Sequence, residues 1–315
     1  MSHVNEPLAR HVLGDWGTSR LRLWLIERGE VAATREGPGI GALTNPPGDT
    51  LAALVAPWRS ASETLHVVLS GMAGSRTGLL ETDYVPTAAD FDRWSRAARL
   101  TRVHDMPVAV AAGLRDESRQ HAPDVMRGEE TQIFGAMQLE PALRAGSHLF
   151  VLPGTHSKWV GIENGAIARI NTALTGELFA LLHDHSILLK AGSAENADSA
   201  EHDAGFDAGL KRSQHLPERL LAALFEVRTA QLLRGRSRAW ASGFLSGLLI
   251  GDEIAGMSAL HASIRDVVIV ADAQLAGLYE RALAARGIRS RRFDGGACAL
   301  AGLRQLYESV RGEFS

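Results

Sequence analysis

The chain has 315 residues, long for a single hydrophobic core, so two domains are expected. A formal net charge of −3 gives no basic excess for nucleic acid or an anionic membrane, and the hydrophobic and charged fractions, 45% and 22%, are those of a soluble globular enzyme. One cysteine, Cys298, excludes an intrachain disulfide framework and a multi-cysteine metal site, and within its run of small residues it reads as a buried apolar side chain.

The opening stretch, residues 1–7, lacks a charged-then-apolar leader pattern, and no apolar run approaches 18 residues. The expectation is therefore a cytoplasmic chain with no membrane partner. From His11 an apolar run reaches Asp15-Trp16-Gly17-Thr18-Ser19-Arg20-Leu21-Arg22, which reads as strand, tight turn, strand. Glycine lets backbone approach closely while hydroxyls and main-chain N–H groups point at one spot, an arrangement that suits polyphosphate. Asp15 at the strand's end is costly unless it binds something, and Mg²⁺ held through water fits it. Thr18 and Ser19 would donate to phosphate oxygens, and Arg20 or Arg22 would add charge, a solvated strand face being the other reading of Arg22.

Glu27 to Glu30 closes a hairpin into a third strand, an order different from the strand-to-helix phosphate sites of Rossmann and Walker folds. A helix is predicted from Asp49 to Ser60 and a buried strand over His66–Ser70. The strand feeds a glycine loop, Gly71-Met72-Ala73-Gly74-Ser75-Arg76. Arg76, next to Ser75, can fork onto a substrate carboxylate. A strand follows at Pro107–Ala111, and a polar loop over 115–123 marks the domain change: 1–125 and 126–315.

Arg127-Gly128-Glu129-Glu130-Thr131-Gln132 opens a helix reaching Leu139. Two carboxylates there complement the helix dipole, or one is a base taking a proton from an attacking hydroxyl, Glu130 being favoured over Glu129. A second hydroxyl-rich turn, Pro153-Gly154-Thr155-His156-Ser157-Lys158, stands 24 residues beyond Glu130 and is followed by an Asn164-Gly165 hairpin. Gly154 to Ser157 would form an opposing phosphate wall, with Lys158 either a phosphate contact or a surface lysine. Helices are predicted over 175–189 and within 217–260, a strand at Asp266–Val270, and helices from Leu275 to Arg286 and from Gly296 to about Arg311. His183-Asp184-His185 has no third ligand at usable spacing and reads as a polar helix face. Two phosphate turns, one per half, predict a two-lobed nucleotide clamp.

The double turn resembles the actin/hexokinase/Hsp70 superfamily. Within it the chain is similar to the 2-dehydro-3-deoxygalactonokinases. The segments that carry the likeness are 15–22, 71–76, Met126 to Gln132, Leu152 to Val160, Thr175 to Leu182 and Ser242 to Gly251. The resemblance implies an α/β fold of two ribonuclease-H-like domains with a cleft between them, closing over Mg·ATP and a sugar acid, with the last helix packing back on the first lobe. It matches Glu130-Thr131 to the hexokinase-type Asp-Thr pair that supplies the base. Arg76 and Arg127, with Ser75 and Glu129, are then the substrate-binding candidates, and Asp272 after the 266–270 strand the ribose candidate. The implied reaction is phosphorylation of 2-dehydro-3-deoxy-D-galactonate at its 6-hydroxyl. The rivals are a kinase for another sugar acid or amino sugar, a phosphatase or ATPase without a sugar acceptor, and a catalytically silent binding regulator. Homo-oligomerisation stays open, and no nucleic-acid partner is expected.

Overall fold

A computed structural model describes residues 10–60, 64–117, 122–190, 198–215, 219–261 and 266–314. The opening stretch at 1–7, part of the 115–123 loop and the start of the 217–260 helical region lie outside the described residues. The chain divides into two compact units: Met1–Ser147 with Val160–Ile170 and Phe293–Ser315, and His148–Trp159 with Asn171–Arg292.

In the first unit, β1 (His11–Trp16), β2 (Arg20–Glu27) and β3 (Glu30–Pro38) form an antiparallel meander. Its second turn has positive φ at both Arg28 and Gly29, the backbone that matches strand twist in a two-residue hairpin. Then come α1 (Pro47–Val55), β4 (His66–Gly71), β5 (Tyr84–Pro86), α2 (Phe91–Ser95), β6 (Arg99–Val103), β7 (Met106–Val110), β8 (Gly113–Asp116), β9 (Asp124–Met126) and α3 (Glu129–Leu139). The main sheet runs β3-β2-β1-β4-β7-β6, with β4 parallel to both β1 and β7. A small sheet, β5-β8-β9, stands apart from it in pairing. Alternation along β1, β2 and β4 sends Val12, Leu21, Leu23, Val67 and Leu69 into one core with Trp16, Leu51 and Trp58.

The chain continues through β10 (Ser147–Leu152), β11 (Ser157–Glu163), β12 (Ala166–Ala173), α4 (Thr175–His185), α5 (Ser199–Ser213), α6 (Leu220–Ala223), α7 (Glu226–Arg234), α8 (Arg238–Leu260), β13 (Asp266–Ala271), α9 (Ala273–Ala284), β14 (Arg289–Asp294) and α10 (Gly295–Val310). The second sheet has the order β12-β11-β10-β13-β14, with β10 parallel to β13. Its order, third-second-first-fourth-fifth, repeats the main sheet through the fourth strand; in the main sheet β7 lies next to β4 and β6 adds an antiparallel edge beyond it. The shared part is the ribonuclease-H-like core that the resemblance implies.

The predicted boundary at 125/126 does not match the compact units. Residues 126–147 stay in the first unit because α3 and α10 meet backbone to backbone. A Cβ on Gly135 would lie 1.8 Å from the carbonyl oxygen of Cys298, and one on Gly302 would lie 2.0 Å from that of Thr131. α10 also packs on β1 and β4. The 175–189 helix is shorter than predicted and ends at His185. In the second unit α8 is long and apolar enough by composition to cross a membrane, but 61% of its most apolar window is buried, and its Phe244, Leu245, Leu248 and Leu249 belong to a protein core.

Candidate active site

The first turn is built as the sequence predicts. Gly17 N–H donates to the Arg20 carbonyl at 2.8 Å, while the carbonyls of Gly17 and Thr18 accept from Ile40 and Gly41. Gly39 must be glycine here, since a Cβ would stand 2.2 Å from the Thr18 carbonyl oxygen. The turn leaves Thr18, Ser19 and Arg20 exposed, with Glu36 3.6 Å from the Arg20 guanidinium. Asp15 pairs in register with Arg22 on one side and Ser70 on the other. Burial pushes its carboxyl above the usual aspartate range, while the charges of Arg22 and Arg20 pull it back.

Two glycines connect Asp15 to the start of α3. Gly71 has φ +76°, and a Cβ on it would lie 2.6 Å from the Trp16 carbonyl oxygen and 3.4 Å from Asp15 Oδ1. Gly128, with φ +113°, would put a Cβ 3.1 Å from the Gly71 Cα. α3 therefore begins close to the end of β1, inside one unit. Glu130 is fully buried, and both of its carboxylate oxygens accept from Gly128 N–H, at 2.8 and 2.9 Å. Desolvation and then the neighbouring Glu129 push its carboxyl up to about 8, against the hydrogen bonds and the charge of Arg127. Glu129 is half-buried and accepts from Arg127 N–H at 3.0 Å. Two buried hydroxyls in these segments, Ser70 Oγ and Thr131 Oγ1, have no hydrogen-bond partner, which is costly in a site that nothing fills.

The arginines proposed for substrate separate clearly. Arg127 is half-buried, with Nη2 donating to the Thr82 carbonyl at 2.8 Å and its guanidinium 4.2 Å over the Tyr84 ring. It is committed to holding the loop. Arg76 is 88% exposed, with Glu81 3.5 Å from its Nε. The Ser75 hydroxyl donates to the Met72 carbonyl at 2.8 Å and shapes the same loop.

In the second unit the 153–158 turn is only partly as predicted. Thr155 and His156 are exposed, and His156 meets the Glu177 carboxylate. Ser157 and Lys158 are buried and do not share the exposure of Thr155 and His156. Strand β11 begins at Ser157, so its side chain shares the inward face of Trp159, is 1% exposed and bonds the Tyr279 hydroxyl at 2.8 Å. Lys158 is buried and donates to Thr172 Oγ1 at 2.8 Å, so it is neither a surface lysine nor an open phosphate contact.

The start of α4 packs against this turn. A Cβ on Gly176 would lie 2.1 Å from the Gly154 carbonyl oxygen, and Glu177 N–H donates to the Thr155 carbonyl at 2.8 Å. The N-terminus of α4 thus backs the turn, where helix N–H groups and dipole favour anions. Beside it lies a cavity of about 200 Å³ lined by Gly154, Thr175, Phe179, Leu249, Gln274 and Leu278 among others. It shares His202, Gln274 and Leu278 with an adjoining cavity of about 640 Å³. This pocket is not legible in the sequence, because its walls come from four helices far apart in the chain. Asp272, the ribose candidate, instead caps α9 by accepting from Leu275 N–H at 2.9 Å, and it is not among the residues lining either cavity. Among the described residues no group of three or more His, Cys, Asp or Glu is placed to hold a metal. A lone Asp15 fits an ion that keeps most of its water, not a zinc cage.

Two sheets that share the order of their first four strands, each with a glycine- and hydroxyl-rich turn between its first two strands, define an α/β protein of the actin-like ATPase fold. The comparisons narrow this. The model of the 2-keto-3-deoxy-galactonokinase family matches residues 15–306, and the chain belongs to that family. A protein of Rhizobium meliloti (strain 1021) named as a 2-dehydro-3-deoxygalactonokinase is 40% identical over 92% of this chain and 94% of its own length. The 2-dehydro-3-deoxygalactonokinase of Escherichia coli (strain K12) is 37% identical over 96% of this chain and 99% of its own. A crystal structure from Sinorhizobium meliloti, described under the same enzyme name, superposes with a TM-score of 0.85 at 36% identity, covering 95% of this chain and 99% of the other.

Proposed function

We propose that the chain transfers the γ-phosphoryl group of ATP to the 6-hydroxyl of 2-dehydro-3-deoxy-D-galactonate, giving the 6-phosphate and ADP. The observation that carries this reading is the fully buried Glu130 carboxylate opening α3, in a unit where Gly128 and Gly71 bring that helix start to Asp15. A carboxyl held up to about 8 is a stronger base than an ordinary carboxylate once ionised, and its ionised fraction grows as pH rises toward 8. Glu130 accepts the proton of the 6-hydroxyl as its oxygen bonds to phosphorus and the bond to the ADP oxygen breaks. Asp15 would hold Mg²⁺ through water, and the ion supplies charge neutralisation on the phosphates.

Thr18, Ser19 and Arg20 of the exposed first turn serve the phosphates. In the second unit, Gly154, Thr155, His156 and the N-terminus of α4 do the same, and the cavities around Gln274 and His202 take the nucleoside. Apolar walls from Leu249, Ile250 and Leu278 with a few polar groups suit a purine. Arg76 meets the substrate carboxylate, since its guanidinium is open whereas that of Arg127 is spent on Thr82 and Tyr84.

The test is ADP release from Mg·ATP with 2-dehydro-3-deoxygalactonate, its gluconate epimer, galactonate and no acceptor. Release that depends on the galactonate-derived keto acid is the expected result. Acceptor-independent release, or preference for another sugar, overturns the substrate assignment.

A further inference from the structure

The most heavily bonded buried acid of the second unit has no part in the reaction outlined above. Glu253, on α8, is 7% exposed. Its Oε1 accepts from Trp159 Nε1 at 2.7 Å and its Oε2 from the Tyr279 hydroxyl at 2.8 Å. The Ser157 hydroxyl joins the group through Tyr279 at 2.8 Å, and the Thr175 hydroxyl also bonds the carboxylate. The indole N–H of Trp159 can only donate, so Oε1 is an acceptor, while the hydroxyl partners hold the other side of the carboxyl group.

The placement of those donors is informative. Ser157 ends the second phosphate turn and begins β11. Thr175 is the first residue of α4, whose next residue, Gly176, lies against Gly154. Tyr279 is on α9 and lines the smaller cavity together with Gly154, Thr175 and Gly176. One side chain therefore ties together the turn, the helix N-terminus behind it and the pocket wall. Burial raises the cost of the Glu253 charge, and an apolar residue of similar volume would generally serve stability as well or better. Trp159, Phe206, Ile254 and Leu283 already supply an apolar core around it.

We propose that Glu253 is a positioning residue for nucleotide phosphate, setting the Gly154–His156 turn against the α4 N-terminus through Ser157 and Thr175, and the nucleoside pocket wall through Tyr279. This rests on the reading of that turn and cavity as the ATP site. Glu253→Leu removes both acceptor oxygens and leaves Trp159 Nε1 and the Tyr279 and Thr175 hydroxyls without that partner. Glu253→Gln keeps one acceptor oxygen facing Trp159, and Tyr279 can turn to accept from the new amide. Tyr279→Phe removes the hydroxyl that joins Ser157 to Glu253 Oε2 and leaves the Trp159 bond to Oε1 in place.

The experiment is equilibrium binding of Mg·ATP to the full chain without any sugar acid, followed by steady-state kinetics with both substrates. All measurements are made well below each variant's Tm. Expected are a dissociation constant and an ATP KM about tenfold or more above wild type in Glu253→Leu, a smaller rise in Tyr279→Phe, and partial rescue in Glu253→Gln. The sugar-acid KM should stay within about twofold throughout. If Glu253→Leu does not fold, Tyr279→Phe and Glu253→Gln carry the same comparison. Unchanged ATP binding in folded variants, or an equal rise in both KM values, overturns the positioning role while leaving the kinase reading intact. A wild-type chain that binds no Mg·ATP overturns both.

Discussion

Glu130 carries two demands that conflict, and the conflict makes its role measurable. As an N-terminal residue of α3 it accepts Gly128 N–H with both oxygens, and as a fully buried acid it resists ionisation up to about 8. A base must be ionised to work, so kcat/KM for the sugar acid should climb with pH along a limb that bends near 8. Glu130→Gln should lower kcat by about 10²–10⁴-fold, change ATP KM by no more than about twofold, and abolish that limb. Steady-state rates across pH 6–9.5 check this. Glu129→Gln, which alters a half-buried acid bonded to Arg127 N–H, should keep the limb. If instead Glu129→Gln is the variant that loses it, the base is Glu129. The Asp15 turn and the helix-opening acids could be read in the sequence because glycine, hydroxyl and carboxylate occur there in short order. The inward direction of Ser157 could not. It depends on the residue at which β11 starts, and shifting a strand by one residue reverses every side chain. Nor could the engagement of Arg127, since Thr82 and Tyr84 reach it from more than forty positions away.

At the scale of elements, α5 and α8 show why a helix can escape sequence reading. The segment Ser199–Ser213 has few large apolar residues and two glycines, so its pattern suggests no buried stripe. The glycines are the buried stripe. Gly205 and Gly209 of α5 face Gly243 and Gly247 of α8, and Cβ atoms on them would lie 2.0–2.3 Å from carbonyl oxygens of the opposite helix. The two backbones touch, and no side chain fits between them. Gly243→Ala, whose Cβ would meet the His202 carbonyl oxygen at 2.0 Å, should cost about 1–3 kcal/mol in a urea or thermal melt. Gly256→Ala, on the same helix with nothing within 4 Å, should be neutral or stabilising by up to about 1 kcal/mol. Equal effects at the two sites would mean that helix propensity, not close approach, sets the cost. β14 was hidden differently: Arg289-Ser290-Arg291-Arg292 reads as a solvated charge run, but an edge strand needs only backbone pairing on one side. The meanders, α3 and the Asn164-Gly165 hairpin were legible because local chemistry alone dictates them.

For the whole molecule, the buried acids set how stability responds to pH. Asp15, Glu130 and Glu253 all have carboxyls raised by desolvation. An acid raised in the fold binds its proton more tightly there than in the unfolded chain, so its contribution is complete below the unfolded pKa and is lost as pH rises through the folded one. His66 acts in the opposite direction. Burial lowers its pKa, so its contribution is present above about 6.5 and falls as pH drops below that. The two trends place greatest stability on the mildly acidic side of neutrality, with a decline toward pH 9. Glu130 can be isolated from this sum, because Glu130→Gln keeps an acceptor for Gly128 N–H and removes the titration. Its unfolding free energy minus that of wild type should grow from pH 5 to about 8, by a few kcal/mol, and stay flat above 8. Urea titrations of both chains at half-unit pH steps give the curve directly. A difference independent of pH would mean that Glu130 is not held protonated in the fold, and the pH limb expected in catalysis would fall with it.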